Sequence, residues 1–291
     1  MNDGSSNTAK PPPADCGGHN GSFSIVSWNV NSVKSRLAHL SDYLTRFSPD
    51  VVFLQEIKTE TESFPYPEIE SLGWTATVKG QKSYNGVAVL TKKKPVLIAD
   101  SLDIDDGGQA RYLETELDGR RFICVYVPNG EPPASDPSSK ERLIYKEKWL
   151  DALNGRIRRL VADGVDFVLG GDFNVIEFDG DVYDPAAFKG SAFTVQEIRS
   201  RFKALYFNGL TDALREKSPR SPLYTYWDYR FSAWEKNHGI FLDRLFLSPY
   251  FADRLTAADV DAGFRGLEKA SDHAPVRCVF DLGSAPEDVN E

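Results

Sequence analysis

Cysteine, histidine and methionine are scarce in this chain, at three, four and one among 291 residues. The cysteines, Cys16, Cys124 and Cys278, are odd in number and have no paired spacing. Cys124 and Cys278 sit in the apolar runs FICVYV and VRCVF, which points to buried free thiols in a reducing, intracellular setting rather than a disulfide framework or zinc cage. Long apolar runs are also missing: nothing approaches the roughly 20 residues that a membrane helix requires. The first 22 residues are mostly Gly, Ser, Asn and Pro, with neither the apolar stretch of a secretory signal nor the Arg-rich pattern of a transit peptide. Residues 1–22 are therefore expected to be a disordered tail, and 282–291 a flexible acidic one.

Excess positive charge is absent as well. The net charge of −9 argues at first against a nucleic-acid partner. The two tails carry four of those charges, leaving −5 on residues 23–281. A carboxylate-built metal site would also be partly neutralised by its own cation. Basic clusters remain at Lys34 with Arg36, Lys79 with Lys82, Lys92 to Lys94, and Arg199, Arg201 and Lys203. Taken singly, each reads as a solvated face.

The chain does have a hydrophobic content of 41%, enough for a sizeable core. Short runs rich in β-branched and aromatic residues predict strands at 23–28, 50–55, 86–91, 111–117, 121–127, 166–170, 242–247 and 276–281. Helical periodicity predicts helices at 32–47, with Ser32 as N-cap, at 138–162 and at 194–207. Strands and helices interleave without a linker-like break between 23 and 281. The expected fold is one α/β domain, a four-layer sandwich of two packed mixed β-sheets flanked by helices.

Polar residues crowd the predicted strand ends, where loops carry function. Asn29 ends the first strand and Glu56 follows the second. Tyr126 leads into Pro128-Asn129-Gly130, Asp172-Phe173-Asn174 follows the run FVLGG, and Ser271-Asp272-His273 precedes the last strand. A carboxylate after a strand can be a turn former, Gly-Asp-Phe-Asn a tight turn, and a lone His a satisfied core residue. Asp243 resists such an account, because an acid inside FLDRLFL is costly unless partnered. Glu56, Asp172, Asn174, Asp243, Asp272 and His273 are accordingly read as one divalent-metal site that cleaves a phosphodiester. Hard Mg²⁺, or Mn²⁺ as a substitute, prefers the oxygens that Glu56, Asp272, Asn29 and Asp172 offer. Asp243 would orient and charge His273, Asp172 would serve as base for water, and Asn174 could donate to the developing oxyanion.

The segments SWNVNSVKSRL, DVVFLQEIK, YVPNGE, GDFNV, YTYWDYR and SDHAPV resemble the exonuclease III family of abasic-site (AP) endonucleases, within the endonuclease/exonuclease/phosphatase superfamily. The likeness covers about residues 23–281. It implies that Asn29, Glu56 and Asp272 join the metal site with Asp172, Asn174 and His273. Tyr126 contacts the scissile phosphate, Asn129 holds the strand, and Tyr226, Trp227, Ile240 and Leu242 wall a pocket for an extrahelical abasic sugar. Arg111 matches a basic family residue only loosely. Phe241 replaces a common arginine and Ala270 a common proline, while Asn31 and VYDPAAFKG resemble the bacterial branch. The implied function is Mg²⁺-dependent incision of duplex DNA 5′ to abasic sites, with 3′-phosphodiesterase or 3′→5′ exonuclease activity. The implied partner is double-stranded DNA with abasic sites or blocked 3′ ends, met by a monomer without a membrane, in the cytoplasm at the nucleoid if the chain is bacterial. Two rivals share some motifs: a superfamily phosphodiesterase of lipid, inositol phosphate or RNA, and a catalytically silent DNA-binding relative. Tyr126 and YTYWDYR favour abasic DNA over the first, and the complete set of catalytic groups disfavours the second.

Overall fold

Four runs of β-branched and aromatic residues decide where the centre of the molecule lies. In a computed structural model describing residues 22–104, 107–219 and 223–283, they form β1 (Ser22–Asn29), β2 (Val51–Gln55), β7 (Arg120–Tyr126) and β8 (Phe167–Asp172). Strands β1 and β2 are parallel, joined by helix α1 (Leu37–Phe47). Strands β7 and β8 are parallel, joined by helix α3 (Glu141–Ala162). A helical crossover is what a parallel pair requires. Their carboxyl ends therefore come out side by side at one edge of the molecule, where α/β folds build sites.

Each pair is the centre of a six-stranded mixed sheet. Strands β3 (Thr75–Lys79), β4 (Val87–Thr91), β11 (Leu255–Val260) and β12 (Val276–Asp281) complete the first, in the order β11-β12-β1-β2-β4-β3. Strands β5 (Val96–Ala99), β6 (Tyr112–Leu117), β9 (Thr211–Asp212) and β10 (Asp243–Leu247) complete the second, in the order β5-β6-β7-β8-β10-β9. The central strands are buried on both faces, so their sequences are continuous apolar runs rather than alternating ones. Ile25, Phe53, Phe122, Val168 and Leu245 fill the space between the sheets. Their chain neighbours Val26, Val52, Ile123, Leu169 and Phe246 point outward, under α1 on one side and under α3 and α4 (Gln196–Phe207) on the other. The expected four-layer sandwich is the observed fold.

The differences from expectation are local. Helix α1 begins at Leu37 rather than 32, its N-cap is Arg36, and Ser32 has a positive φ of 91°. Backbone pairing outcompetes the helix here: Val30, Ser32 and Val33 donate to the carbonyls of Gln55, Glu56 and Ile57. Strands β3, β5, β9 and β11 were not anticipated, nor were the short helices α2 (Tyr66–Ser71), α5 (Ala213–Lys217) and α6 (Pro249–Ala252). β3, β5, β9 and β11 end their sheets and the helices have six residues or fewer, so neither carries a clear burial period. Cys124 and Cys278 are buried and unpaired as expected. Cys16, the tail 1–21 and residues 284–291 lie outside the described residues. Among the described residues no helix is long and apolar enough to cross a membrane.

Phe241 is a fully buried member of the inter-sheet core, with the Arg244 guanidinium 3.4 Å from its ring centroid. Arg244 is itself fully buried. It binds Asp212 at 2.6 Å and Asp181 at 3.3 Å, and Arg215 also pairs with Asp181. Through Asp181, whose carbonyl accepts the Phe241 amide, this network anchors the chain running into Asp243. Removing one partner strands buried charge of the other sign. Replacing Arg244 by Met is expected to lower unfolding stability by about 3–5 kcal/mol in urea titrations; an unchanged midpoint would contradict that role.

Candidate active site

Register brings the site together. Across the second sheet, Tyr126 at the end of β7 is paired with Asp172 at the end of β8, and Asp172 lies opposite Asp243 at the start of β10. Three functional residues from three distant segments thus stand in one row. Gly170, two residues before Asp172, leaves room for its neighbours: an added Cβ would meet Leu245 of the same sheet at 2.5 Å and Phe53 of the other at 2.7 Å. In the first sheet, Asn29 is paired with Gln55, which places Glu56 one residue beyond. The Asn29 side-chain amide joins the two rows, donating to Glu56 Oε1 at 2.9 Å and to Asp172 Oδ2 at 3.1 Å.

His273 enters from the segment before β12. The Ser271 hydroxyl donates to the Asn29 carbonyl at 2.6 Å and accepts the His273 amide at 3.2 Å, while Trp28 Nε1 donates to the His273 carbonyl. The His273 ring spans the two acids, with Nδ1 at 2.8 Å from Asp243 Oδ2 and Nε2 at 3.7 Å from Asp172 Oδ2. Asp243 is fixed in turn by Thr225, whose hydroxyl accepts both the Leu242 and Asp243 amides. No sequence signal singles out Thr225, a threonine between two tyrosines.

The charges decide what these groups can do. Burial would strip His273 of its proton, but Asp243 and Asp172 overrule it and push its pKa up to about 10. The ring is therefore an imidazolium at neutral pH. Burial, with the neighbouring Asp243 and Glu56 carboxylates, pushes Asp172 up to about 7 even against His273. That is where a general base is most effective. Burial also raises Glu56, yet the Lys58 ammonium at 2.9 Å and the Asn29 amide hold it below the usual carboxylate range. The Tyr126 phenol, buried beside Glu56 and Asp172, stays protonated and can donate. Arg111 covers its ring at 4.7 Å, so the loosely matched basic residue does reach Tyr126.

Glu56 and Asn174 both adopt positive φ, 48° and 51°, a strained backbone that persists only where the surroundings impose it. The Asn174 amide N–H donates to Asp172 Oδ1 at 2.9 Å, and its side chain donates to the Val127 carbonyl at 2.9 Å. Glu56, Asp172 and His273 offer three ligand atoms within 4.8 Å of one another. The two carboxylates offer oxygens that suit a hard divalent cation, while the charged His273 beside them does not ligate it. Asp272 is set apart from that trio. It lines the same pocket, and its Oδ1 accepts the Asn31 side chain at 3.0 Å.

A pocket of about 470 Å³ opens beside these groups. Asn129, Tyr226, Ile240 and Leu242 line it. Trp227 does not: it is buried against Ala233 and Ala274, and its indole N–H donates to Asn237. Alternation along the extended segment accounts for this, since Tyr226 faces His273 with ring centroids 4.9 Å apart and its neighbour must point away. The remaining wall was not foreseen. Tyr183 and His238 stack in parallel at 4.3 Å, and Phe188, Phe193 and the exposed Phe231 stand around the mouth. Only VYDPAAFKG, noted as a branch feature, hinted at Tyr183 and Phe188.

The sequence matches the endonuclease/exonuclease/phosphatase family over residues 26–273. The chain belongs to that family. Within it, the chain is 30% identical over 268 residues to exodeoxyribonuclease III of Haemophilus influenzae, covering 88% of this chain and 99% of that protein. Among solved structures, a Neisseria 3′ phosphatase bound to a product DNA hairpin superposes with a TM-score of 0.84 at 35% identity, covering 89% of this chain and 99% of the other. An AP endonuclease from Archaeoglobus fulgidus gives a TM-score of 0.84 at 31% identity, covering 89% and 100%. The expected likeness to exonuclease III and AP endonucleases is thereby borne out, and with it the endonuclease/exonuclease/phosphatase fold.

The buried pair has a pH signature. His273 has a folded-state pKa raised from 6.5 to about 10, so its contribution to stability is complete below 6.5 and is lost as pH rises through about 10. Replacing Asp243 by Asn is expected to lower stability by about 3–5 kcal/mol near pH 6 and to flatten its decline between pH 7 and 10. Calorimetric melting across that range checks this, and parallel profiles for the two proteins would contradict the pairing.

Proposed function

We propose that this chain is a metal-dependent phosphodiesterase of DNA repair, built as one catalytic domain over residues 23–281. It incises duplex DNA 5′ to abasic sites and also removes blocking groups or nucleotides from 3′ ends. The observation that carries this reading is the Asp243–His273–Asp172 row beside Glu56, Asn29 and Tyr126, at the edge of an aromatic-walled pocket. Relatives of this chain that act on DNA, an exodeoxyribonuclease, a 3′ phosphatase and an AP endonuclease, support it.

Glu56, with Asp172, Asn29 and Asp272, would hold Mg²⁺, for which Mn²⁺ is the natural substitute. The ion would supply charge neutralisation at the phosphate and a more acidic water. The chain's own groups account for the rest. Charged His273 and the Tyr126 phenol bind phosphate oxygens, countering the negative charge that develops as the water attacks. Asp172, poised near neutral pH, takes the proton from that water. Asn174 steadies Asp172 through its backbone N–H, and its amide stands beside the reacting oxygens. Asn129 holds the strand at the pocket's edge. Tyr226, Ile240 and Leu242, with the Tyr183–His238 stack, shape a pocket for the sugar that has lost its base. The row is complete within one chain, so the reading is of a monomer acting on chromosomal DNA, in the cytoplasm at the nucleoid if the chain is bacterial.

Two labelled duplexes test this, one with a single internal tetrahydrofuran site and one with a 3′-phosphate. Wild-type protein in Mg²⁺ should incise the first on the 5′ side of the lesion and trim the second, and EDTA should stop both. Asp172→Asn should slow cleavage by at least about 1,000-fold while retaining DNA binding. Equal cutting of undamaged duplex, or full activity in EDTA, would rule the proposal out. Persistent cleavage by Asp172→Asn would remove only the assignment of the base.

A further inference from the structure

A lysine buried without a carboxylate in contact is rare, because its charge must be met by other groups. Lys146, in the second turn of α3, is fully buried and does not line the pocket. Its Nζ donates to three backbone carbonyls, those of Asn129 at 3.0 Å, Asn174 at 2.6 Å and Ala192 at 2.9 Å. These carbonyls belong to three separate segments: the exit from β7, the exit from β8, and the stretch before α4. Each segment presents a pocket residue, namely Asn129, Asn174 and Phe193. The third is held at both ends, since the Ala192 amide donates to Glu131 Oε1 at 2.7 Å while its carbonyl accepts from Lys146.

From this geometry we infer that Lys146 is a positioning residue for the proposed reaction, its ammonium tying three loops into one register so that Asn129, Asn174 and Phe193 converge on the pocket. Three acceptors match the three N–H groups of an ammonium, whereas a neutral amine has two and an amide side chain also two. Packing around the stem is equally tight. Gly130 has a φ of 85°, and an added Cβ would meet Lys146 Cδ at 2.7 Å, so the β7 exit loop lies directly on the lysine chain. Burial pushes the Lys146 pKa down to about 7, with Asp172 and Glu131 opposing the fall. The Nζ also stands 5.1 Å from the Phe193 ring centroid, a further contact that favours its charge. Asn174 keeps a strained backbone of φ 51°, and the bond from Lys146 to its carbonyl is among the few that can enforce it.

This inference rests on the phosphodiesterase reading for its kinetic readout, but not for its structural one. Single-turnover cleavage of the tetrahydrofuran duplex separates the rate constant of competent molecules from their number. Lys146→Met should lower the rate constant about 100-fold, the effect of displacing reacting groups by about 1 Å, with the reaction amplitude retained. Lys146→Arg, which keeps charge and donors, should stay within about tenfold of wild type. A rate constant within threefold of wild type in Lys146→Met, with only the amplitude reduced, would mean a merely structural lysine and overturn the assignment. If Lys146→Met does not fold, Lys146→Gln is judged on the same two numbers. A crystal structure of the same variant gives an answer independent of activity. The Asn129, Asn174 and Ala192 carbonyls should separate by about 1 Å or more; unmoved carbonyls would overturn the inference. Failure of the wild type to cut either duplex would instead sink the activity reading alone.

Discussion

The site depends on one buried ion pair, His273 Nδ1 to Asp243 Oδ2 at 2.8 Å. An isolated carboxylate inside an apolar strand is unstable, and an isolated imidazolium between two sheets equally so. Together they are tolerable, and the pair dictates much around it. The Thr225 hydroxyl accepts the Leu242 and Asp243 amides, Ser271 fixes the His273 backbone to the end of β1, and Asn29 then links that strand end to Glu56 and Asp172. A neighbouring carboxylate thus keeps His273 charged, and burial, with the crowding of acids, keeps Asp172 high enough to accept a proton. Opposite shifts in adjacent groups are how a protein separates an electrostatic role from a basic one.

Around this pair the fold supplies rigidity from behind. The Arg244 network beneath Phe241 braces the segment that leads into Asp243, and Lys146 ties the loops that carry Asn129 and Asn174. Both devices use buried cations where an all-apolar core would be less costly. Buried charges held by several partners favour a single geometry more than extra stability. That is a sensible use of them beside a site that needs fixed distances. With Phe241 at this position the His273–Asp243 pair is present, and Arg244 covers the phenyl ring.

Much of this was readable in the sequence because the chemistry and the strand pattern coincide. The central strands are long apolar runs with a polar residue at one end, so Asn29, Glu56, Tyr126 and Asp172 could be found from the point where hydrophobicity stops. Asp243 could be found because it violates its surroundings. What could not be read were contacts without a pattern. Thr225 and Lys146 act through backbone groups of distant segments, and no local signal distinguishes a lysine tied to three carbonyls from one in solvent. Trp227 was misplaced into the pocket for a related reason: two adjacent aromatics in YTYWDYR cannot face the same way on extended chain, and the sequence does not say which faces in. The start of α1 was misjudged because backbone pairing with β2, a long-range effect, outcompeted a local N-cap.

The site's electrostatics turn on His273, an imidazolium held between Asp243 and Asp172. Titration of its ring by nitrogen-detected NMR, on protein treated with EDTA, measures this directly. Both ring nitrogens should stay protonated through neutral pH and begin to titrate only toward about 10. A midpoint near 6.5, the value for a free histidine, would contradict it.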